Sequence, residues 1–355
     1  MARRSLNPLR EIQVVLWLKH FLRQEQVDLV HSFTIKSAVY GALAAKMAGV
    51  SSRVNAVAGL GYVFSSDDLQ ARLLRPWVRG LVRTTLGGRQ SRLILQNPDD
   101  VEVFKRHRLV SEQLIRLIPS SGVDCTRFSP DTFVEGSADI TSGQMFVEAE
   151  DGEGQDRLGS QRLRVLLPAR MLWDKGVGEF VEAARMLRAE GRSIDFLLAG
   201  DPDPGNPAAV PESQLNRWVA EGLVNWLGHV DDMPALFRSV DVVALPSYRE
   251  GLPRGLIEAG ACGRPLITTD APGCREVVVD RYNGLLIPLR DPVALASAIA
   301  QLHDDPKKRA DMGKAARVTV MQEFDEEIVI RRTMAVYQEL FPEASFDGDA
   351  VSRTL

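Results

Sequence analysis

The sequence predicts an α/β fold with two domains, each built around a parallel sheet. Three observations support this: the chain has 355 residues, short apolar runs alternate with helical segments, and an acidic Gly/Ser-rich stretch separates two such series. A chain of this length can form two domains that each bury a core. Strands that alternate with helices pair in parallel, because each helix carries the chain back to the start of the next strand.

The first domain is assigned to residues 1–134. Short apolar runs are its strand candidates, at residues 27–32, 53–57, 93–95 and 114–119. Segments with helical spacing lie between them, at residues 9–24, 36–48, 71–86 and 99–106. The alternation predicts a small parallel sheet covered by helices.

Four further segments complete the predicted organisation. Residues 135–160 are acidic and rich in Gly and Ser, which favours a flexible insertion, and residues 161–325 form the second domain. Its strands and helices follow a doubly wound pattern, in which ligands bind beyond the carboxyl ends of the strands. A short helix is expected at residues 273–278. Residues 326–341 read as a helix that packs back toward the first domain, and residues 342–355 as a disordered tail.

The composition excludes several classes of protein. The chain is 45% hydrophobic and 25% charged, as in an ordinary globular protein, and its net charge of −4 argues against nucleic-acid binding. No apolar run reaches the length of a transmembrane helix, and the first residues do not read as a signal peptide. The three cysteines form no CxxC pair and no metal-ligand spacing, which favours a reduced cytoplasmic compartment and no metal site.

The two predicted domains differ in charge. Residues 1–134 contain 19 Lys and Arg against 11 Asp and Glu, a net charge of +8, which leaves −12 for the remainder. A basic domain beside an acidic one indicates two different roles. The alternative is a chance imbalance of a kind that many globular proteins carry.

Three loops of the second domain follow predicted strands and carry groups that suit a phosphorylated, hydroxylated ligand. In the first, PARMLWDKG, Arg170 and Lys175 lie just after a strand and just before a helix N-terminus. Two cations beside free backbone N–H groups favour a diphosphate. The alternative is a pair of solvated surface cations.

The second loop, LPSYREGLPRGLIEA, places Glu250 before a helix and Glu258 more than one turn into it. An ionised carboxylate accepts two hydrogen bonds at once, which suits paired sugar hydroxyls. Gly251 permits a close approach of the backbone to a ligand. The alternative is an acidic cap of the helix. The third loop, TTDAPGCREVV, carries Glu276 after a Pro-Gly turn. The alternative is an ordinary connection between a helix and a strand.

Together these segments resemble the retaining glycosyltransferases of the GT-B fold, in particular glycosyltransferase family 4. The match centres on the E-x₇-E signature at Glu250–Glu258 within S-x-x-E-G-x-P. It extends to further short motifs in the same order along residues 164–340: A-R-x-x-x-x-K-G at Ala169–Gly176, W-L-G-H-V at Trp226–Val230, G-x-P at Gly263–Pro265, E-V-V at Glu276–Val278 and N-G-L-L at Asn283–Leu286. The fold implied is two Rossmann-like domains.

The resemblance implies roles for individual residues. Arg170 and Lys175 would bind the donor diphosphate and stabilise the leaving group, Glu250 would contact the donor sugar, and Glu258 would hold the ribose hydroxyls. The remaining donor-site positions carried over from the motifs are Gly251, Leu252, Pro253 and Arg254 beside the sugar, His229 and Val230 beside the nucleobase, and Gly200 after its strand.

The resemblance also implies the chemistry. Such enzymes retain the configuration of the anomeric carbon and need no metal or cofactor, because cations and helix dipoles neutralise the diphosphate of a UDP-sugar. The leaving diphosphate takes the proton of the acceptor. No Asp-x-Asp in the sequence is flanked by an apolar strand, and the one at Asp201–Asp203 lies in a Gly/Pro loop and is interpreted as part of that loop.

The first domain departs from the family pattern. Members normally begin with a strand and a glycine-rich loop, whereas this chain begins with a helix, so we expect an incomplete first domain. Ala58 stands where many relatives have a His, and His31 is more typical of a structural residue than of a substitute. The Gly59–Tyr62 turn and Lys36 are the better candidates for the acceptor cleft.

The motif HSFTIKSAVYGALAAKMAGV…GLGYVFSS resembles bacterial enzymes that extend lipid-linked surface polysaccharides. Residues 71–92 also carry six arginines and no acidic residue, interleaved with Trp77 and aliphatic side chains. A basic amphipathic helix fits contact with an anionic membrane or with a polyprenyl diphosphate. The alternative is a solvated face on a core helix.

The sequence therefore predicts a retaining, metal-independent hexosyltransferase. It would move a hexose or N-acetylhexosamine from a UDP-sugar to a lipid-linked saccharide, in lipopolysaccharide or other surface polysaccharide synthesis. We expect it in the cytoplasm, with peripheral contact to the inner face of the membrane as an added expectation. Two alternatives stay open: a transferase of the same fold with a soluble acceptor, and an inactive nucleotide-sugar-binding module with a short first domain.

Overall fold

The computed structural model of the protein describes residues 8–57, 69–119, 122–130 and 162–343. The predicted insertion at residues 135–160, the Gly59–Tyr62 turn and nearly all of the predicted tail lie outside these ranges. Within them, the predicted α/β class with two parallel sheets is confirmed.

The first domain contains a four-stranded parallel sheet in the order β1-β2-β3-β4. Its strands are β1 (Leu29–Phe33), β2 (Ser52–Val57), β3 (Ser91–Leu95) and β4 (Ile115–Leu117). Its helices are α1 (Pro8–Gln24), α2 (Ile35–Ala48), α3 (Leu69–Leu86) and α4 (Pro98–Arg106). Successive side chains of a strand point to opposite faces, so the sheet needs cover on both.

Helices from the two ends of the chain cover the first sheet. Ala42 of α2, Val82 of α3 and Phe104 of α4 are buried together on one face. The other face carries α11 (Glu326–Leu340), whose Val329 and Val336 pack against β2 and β3. This helix, the last in the described part of the chain, therefore belongs to the first domain by its packing.

The second domain contains a six-stranded parallel sheet in the order β10-β9-β8-β5-β6-β7. Its strands are β5 (Leu163–Pro168), β6 (Ile194–Ala199), β7 (Asn225–Gly228), β8 (Val242–Leu245), β9 (Leu266–Thr269) and β10 (Gly284–Ile287). Its helices are α5 (Val177–Ala189), α6 (Glu212–Ala220), α7 (Met233–Ser239), α8 (Arg254–Ala261), α9 (Pro292–Asp304) and α10 (Pro306–Glu323). Strands β8 and β9 are buried along their whole length, because a parallel sheet of this kind has helices on both faces.

Side-chain caps followed by proline fix the starts of three helices. Asn97, Asp291 and Asp305 each accept a hydrogen bond from the backbone N–H three residues later, at 2.8, 2.8 and 2.9 Å. Proline stands at the first helical position in each case, where its missing N–H costs nothing. These caps place the first turn of α4, α9 and α10.

Within the described residues, the chain crosses between the two domains twice, and the two crossings pack against each other. The Val123 N–H donates to the Phe324 carbonyl at 2.9 Å, and the Glu326 N–H donates to the Val123 carbonyl at 3.1 Å. Gly122 has a φ of 75°, and a Cβ there would lie 2.8 Å from Glu326 Cα. Ile118 belongs to a core of the first domain and Val123 to that of the second. The chain thus passes between the two cores within residues 118–123.

One predicted element is wrong. Residues 273–278 form hydrogen-bonded turns instead of a short helix. The N–H groups of Cys274 and Arg275 both donate to the Ala271 carbonyl, at 3.0 and 3.1 Å, and the N–H groups of Val277 and Val278 both return to Cys274. Shared acceptors of this kind close separate turns, so no regular ladder can form.

Candidate active site at the carboxyl edge of the second sheet

Strands β5 and β8 are neighbours at the centre of the second sheet although 73 residues separate their ends in the chain, from Pro168 to Val242 at the nearest. Strands β6 and β7 lie beyond β5, and β9 and β10 lie beyond β8. The chain therefore leaves β5 and β8 toward opposite sides, which opens a crevice between the loops at their carboxyl ends. These are the first two loops singled out from the sequence.

A buried ion pair joins the two loops. Lys175, in the 3-10 turn that follows β5, donates from Nζ to Oε1 of Glu250 at 2.6 Å. Both side chains are mostly shielded from water, with 17% and 13% of their surface exposed. The structure thus brings together two of the three residues predicted to act on the donor.

Glycines hold these loops in close contact. Gly176 has a φ of 74°, and a Cβ there would lie 2.2 Å from the Pro246 carbonyl oxygen. Gly273, with a φ of 83°, approaches Glu250 in the same way, where a Cβ would lie 2.4 Å from the Glu250 carbonyl oxygen. Backbones this close leave no space for a side chain, and only glycine adopts these φ values without strain. The position of Glu250 is therefore fixed by all three loops.

Glu258 lies on α8, about one turn after the first residue of this helix, Arg254. Its Oε1 accepts a hydrogen bond from Arg254 Nε at 2.7 Å, and only 12% of the Glu258 side chain is exposed. Pro253 is the residue before the helix, and Leu252 packs against the core of the second domain. The Gly251 carbonyl accepts a hydrogen bond from Asn97 of the first domain. These residues therefore line the start of α8, whose N-terminal dipole favours anions.

The N-terminus of α8 lies close to the end of β5. A Cβ on Gly255 would lie 3.1 Å from the carbonyl oxygen of Pro168, the last residue of that strand. Helix N-terminus, Lys175 and Glu250 thus gather at one point of the sheet edge.

Arg170 pairs with the loop after β6 instead of with Glu250. Its Nη1 lies 2.5 Å from Oδ2 of Asp203, and Asn206 donates to the same oxygen at 3.0 Å. Nearly half of the Arg170 side chain is exposed. A diphosphate would therefore compete with Asp203 for this guanidinium.

The predicted nucleobase region lies at the ends of β6 and β7. The Gly200 N–H donates to the Gly228 carbonyl at 2.7 Å, and Trp226 Nε1 donates to the Gly200 carbonyl at 3.0 Å. His229 is 70% exposed between Asp201 and Asp231, and Val230 packs partly against the core. These positions thus share the carboxyl edge of the sheet with Lys175 and Glu250.

Two further ionisable groups, Cys274 and Glu276, lie in the third loop, which packs against Glu250 through Gly273. Burial raises the pKa of the Cys274 thiol to about 12, and the nearby Glu250 carboxylate adds to the shift. Cys274 therefore stays protonated at neutral pH and is a poor nucleophile. Burial also raises the pKa of Glu276, whose Oε2 has no hydrogen-bond partner in the structure.

Residues of the first domain reach the second domain beside Glu250, although no motif indicated them. Two of their contacts are to the loop after β8, residues 246–253, which we call the donor loop. Asn97 Nδ2 donates to the Gly251 carbonyl at 2.9 Å, and Arg249 donates to the buried carboxylate of Asp100. Arg275 lies 3.5 Å from Asp99. A possible signal was Asn-Pro-Asp-Asp directly after a strand, because it marks a helix start at the carboxyl edge of the first sheet.

The structure gives the two first-domain candidates structural partners. His31 Nδ1 lies 2.6 Å from the Tyr337 hydroxyl of α11, and burial lowers the pKa of His31 to about 4. Lys36 Nζ lies 2.9 Å from Glu11 Oε1. His31 therefore joins α11 to the first sheet as a neutral side chain, and Lys36 joins α2 to α1.

The basic segment of the first domain has an exposed apolar face. Trp77 is 80% exposed and Leu81 lies near it, one turn further along α3. Arg83 donates to the carbonyls of His107 and Arg108 at the end of α4. Arg92, in contrast, is not part of this face, because it lies on β3 and pairs with Glu339 at 2.6 Å.

The described ranges lack two features, a membrane-spanning helix and a metal-binding cluster. No helix in them combines the length and the apolar character that crossing a bilayer requires. The same ranges hold no group of three or more His, Cys, Asp or Glu side chains arranged to bind a metal ion.

Two family models match the chain. Residues 162–305 match the family described as glycosyl transferases group 1, and residues 1–97 match the family described as glycosyl transferase 4-like. The first match covers every loop of the candidate site. The second covers β1, β2, β3 and the helices between them.

Two characterised relatives align with almost the whole chain. One is the N,N'-diacetylbacillosaminyl-diphospho-undecaprenol alpha-1,3-N-acetylgalactosaminyltransferase of Campylobacter jejuni, 31% identical over 341 residues, which are 96% of this chain and 84% of the relative. The other is the UDP-Gal:alpha-D-GlcNAc-diphosphoundecaprenol alpha-1,3-galactosyltransferase of Escherichia coli, 26% identical over 91% of this chain and 78% of the relative.

A solved structure has the same architecture. Anabaena Alr3699/HepE in complex with UDP and glucose superposes with a TM-score of 0.72 at 22% identity, over 95% of this chain and 84% of that protein. At this identity the likeness shows the fold alone.

Proposed function

The chain belongs to the group 1 glycosyl transferases and has the GT-B fold expected from its motifs, and we propose that it transfers a hexose or N-acetylhexosamine from a UDP-sugar to a saccharide on a polyprenyl diphosphate. It is a glycosyltransferase by family. The donor, the acceptor and the stereochemistry are the parts that we propose.

The observation that carries the donor assignment is the Lys175–Glu250 pair at the switch point of the second sheet. A cation, a carboxylate and the N-terminus of α8 meet there, and Glu258 follows on the same helix. A nucleotide-sugar presents a diphosphate, sugar hydroxyls and ribose hydroxyls, and each of these finds a complementary group. The UDP bound by the Anabaena protein of the same fold supports the choice of base.

We propose that Lys175 and Arg170 stabilise the charge that develops on the leaving diphosphate. The acceptor oxygen forms a bond to the anomeric carbon while the bond from that carbon to the phosphate oxygen breaks. The acceptor proton passes to the departing phosphate oxygen, so UDP leaves from the face that the acceptor enters and the configuration is retained. No protein base is needed in this scheme.

We also propose that the reaction needs no metal, because two cations and a helix N-terminus can supply the positive charge that the diphosphate requires. The expected result is a transfer rate that 5 mM EDTA leaves unchanged within about twofold. A rate that collapses with EDTA and returns with added Mg²⁺ or Mn²⁺ would contradict it.

A lipid-linked acceptor is proposed from the two relatives, whose names both specify a diphospho-undecaprenol substrate. The exposed face of α3 supports it, since an exposed Trp beside arginines suits the interface of an anionic bilayer. Bringing this face to a membrane would hold the first domain at the depth of the lipid diphosphate.

The function is tested by incubating the full chain with radiolabelled UDP-sugars and a saccharide on undecaprenyl diphosphate. We expect label in the organic phase for at least one of UDP-GalNAc, UDP-GlcNAc, UDP-Gal and UDP-Glc. If label is transferred only to water-soluble acceptors, the proposed lipid-linked acceptor is wrong and a soluble acceptor takes its place. Binding of UDP without turnover of any donor would show an inactive module and refute the proposal.

Membrane contact is tested separately by flotation with vesicles that contain phosphatidylglycerol. We expect binding that Trp77→Ser weakens and that Tyr282→Ser, an exposed aromatic of the second domain, leaves unchanged. Equal binding by wild type and Trp77→Ser would contradict the assignment of α3.

A further inference from the structure

The start of α4 contacts the donor loop of the other domain at two points. Asn97 donates to the Gly251 carbonyl, and Asp100 accepts from Arg249. Asp99 lies 3.5 Å from Arg275, which belongs to the loop after β9 and not to the donor loop. Arg249 and Gly251 stand on either side of Glu250 in the chain. The first domain therefore grips the loop immediately before and immediately after this carboxylate.

The amide of Asn97 is held in one orientation. Its Oδ1 accepts from the Asp100 N–H at 2.8 Å, and its Nδ2 donates to Oδ2 of Asp100 at 3.2 Å and to the Gly251 carbonyl at 2.9 Å. Asn97 is itself fully buried. A buried amide whose donors and acceptor are all engaged fixes the position of each partner.

Asp100 depends on the second domain for its charge balance. Its side chain is 0% exposed, and the contacts that favour its ionised form are the Arg249 guanidinium and the Asn97 amide. A buried carboxylate without a cation is costly. Separation of the two domains would remove Arg249 and leave Asp100 with the Asn97 amide alone, so the Asp100–Arg249 pair favours the closed arrangement.

We propose that Asn97 and Asp100 are positioning residues, which hold the donor loop in its donor-binding geometry only while the two domains are closed as they are in this structure. We call these two residues and their contacts to Gly251 and Arg249 the latch. The proposal rests on the proposed function in one respect, the assignment of Glu250 to the donor sugar. It adds that the geometry of the donor site is set in part by the domain that faces the acceptor.

This arrangement has a kinetic consequence. Among the described residues, no hydrogen bond or ion pair joins Glu258 or Lys175, which are assigned to the ribose and the diphosphate, to the first domain. UDP alone should therefore bind without the latch. The sugar and its transfer need Glu250 in place, and a misplacement of about 1 Å can lower a rate by about 100-fold. Loss of the latch should therefore lower kcat and leave UDP affinity unchanged.

The kinetic test compares three variants of the full chain. Asp100→Asn removes the buried charge at constant size, and Asn97→Ser keeps a helix cap but is too short to reach Gly251. Asp99→Asn is the matched control, since its contact to Arg275 is longer and more exposed. We expect kcat to fall about tenfold or more in the first two, with the Kd for UDP within about twofold of wild type, and no change in the control.

The same variants are tested without catalysis by measuring the distance between the domains. Spin labels at Glu102→Cys on α4 and Val293→Cys on α9 report it by double electron–electron resonance, because the three native cysteines are buried. We expect a distribution shifted to longer distances in Asp100→Asn and Asn97→Ser and unchanged in Asp99→Asn.

The outcomes distinguish a failure of the latch from a failure of the proposed function. Rates and distances like those of wild type in both Asp100→Asn and Asn97→Ser would overturn the latch, and so would a parallel loss of kcat, UDP affinity and melting temperature, since that pattern marks a general defect of folding. If the wild type binds no UDP, the proposed function fails, and the distance measurement alone then decides whether the latch exists.

Discussion

Replacing Lys175 by Ala should affect stability and activity in ways that can be separated. The substitution leaves Glu250 as a carboxylate that is only 13% exposed and has lost its cation. An uncharged buried group without its partner costs about 1–3 kcal/mol and a charged one costs more, so about 2 kcal/mol is a lower figure for this carboxylate. At about 2–4 °C per kcal/mol for a domain of this size, the second domain should melt about 4–8 °C lower for a loss of about 2 kcal/mol.

The double variant Lys175→Ala/Glu250→Ala distinguishes the two effects. Removing both partners of a pair is close to neutral, so its melting temperature should return toward that of wild type. Its transfer rate should not return. Loss of one group that stabilises charge in a transition state costs about 100- to 1000-fold, and we expect a loss of this size in both variants.

Two quantities are measured for the wild type, Lys175→Ala and the double variant: the melting temperature by calorimetry and the rate of sugar transfer. Arg170→Ala serves as a comparison for stability, because its pair with Asp203 is more exposed and should contribute only about 0.2–1 kcal/mol. The reasoning is refuted if Lys175→Ala transfers sugar within about threefold of wild type, or if the double variant melts below the single one.

Three further predictions concern other parts of the chain. Gly176→Ala should abolish activity because a Cβ would lie 2.2 Å from the Pro246 oxygen, whereas Gly191→Ala, with a similar φ of 72° and open space, should cost only about 1–2 kcal/mol of stability and leave the rate unchanged; equal rates for the two variants would contradict this. Glu258→Ala should raise the KM for the UDP-sugar at least tenfold with the circular dichroism spectrum unchanged, and a KM near wild type would remove Glu258 from the ribose site. Burial lowers the pKa of His31 to about 4 from 6.5, so the unfolded chain takes up the proton first, and stability should fall by about 3 kcal/mol between pH 6.5 and pH 4. Urea unfolding of His31→Gln should lack this component, and an unaltered pH dependence would refute it.

Local signals account for most of what the sequence predicted about the fold. Apolar runs and capped helix starts are properties of a few neighbouring residues, and Asn97–Pro98 and Asp305–Pro306 mark the starts of α4 and α10 in the structure. The helix Glu326–Leu340 begins at the predicted residue for the same reason and ends one residue before the predicted limit. The helix predicted at residues 273–278 is wrong because the backbone N–H groups of this segment donate to the carbonyls of Ala271 and Cys274 and close separate turns.

Local sequence signals do not predict which side chains pair across the fold. Arg170 and Lys175 looked equivalent in the sequence, yet one pairs with Asp203 and the other with Glu250, 75 residues away. The contact between Asn97 and Gly251 spans 154 residues and depends on how the domains meet. Such contacts follow from sheet order and domain orientation, which the spacing of motifs does not encode.

The central claim is that the carboxyl edge of the second sheet binds the nucleotide of the donor. Isothermal titration of UDP into the full chain tests it most directly, beside Glu258→Ala, Lys175→Ala and the exposed control Tyr282→Ser. The account predicts saturable binding at one site, weakened about tenfold or more in the first two variants, which is about 1.4 kcal/mol each, and unchanged in the control. Absence of saturable binding, or equal affinity in all four proteins, would contradict it.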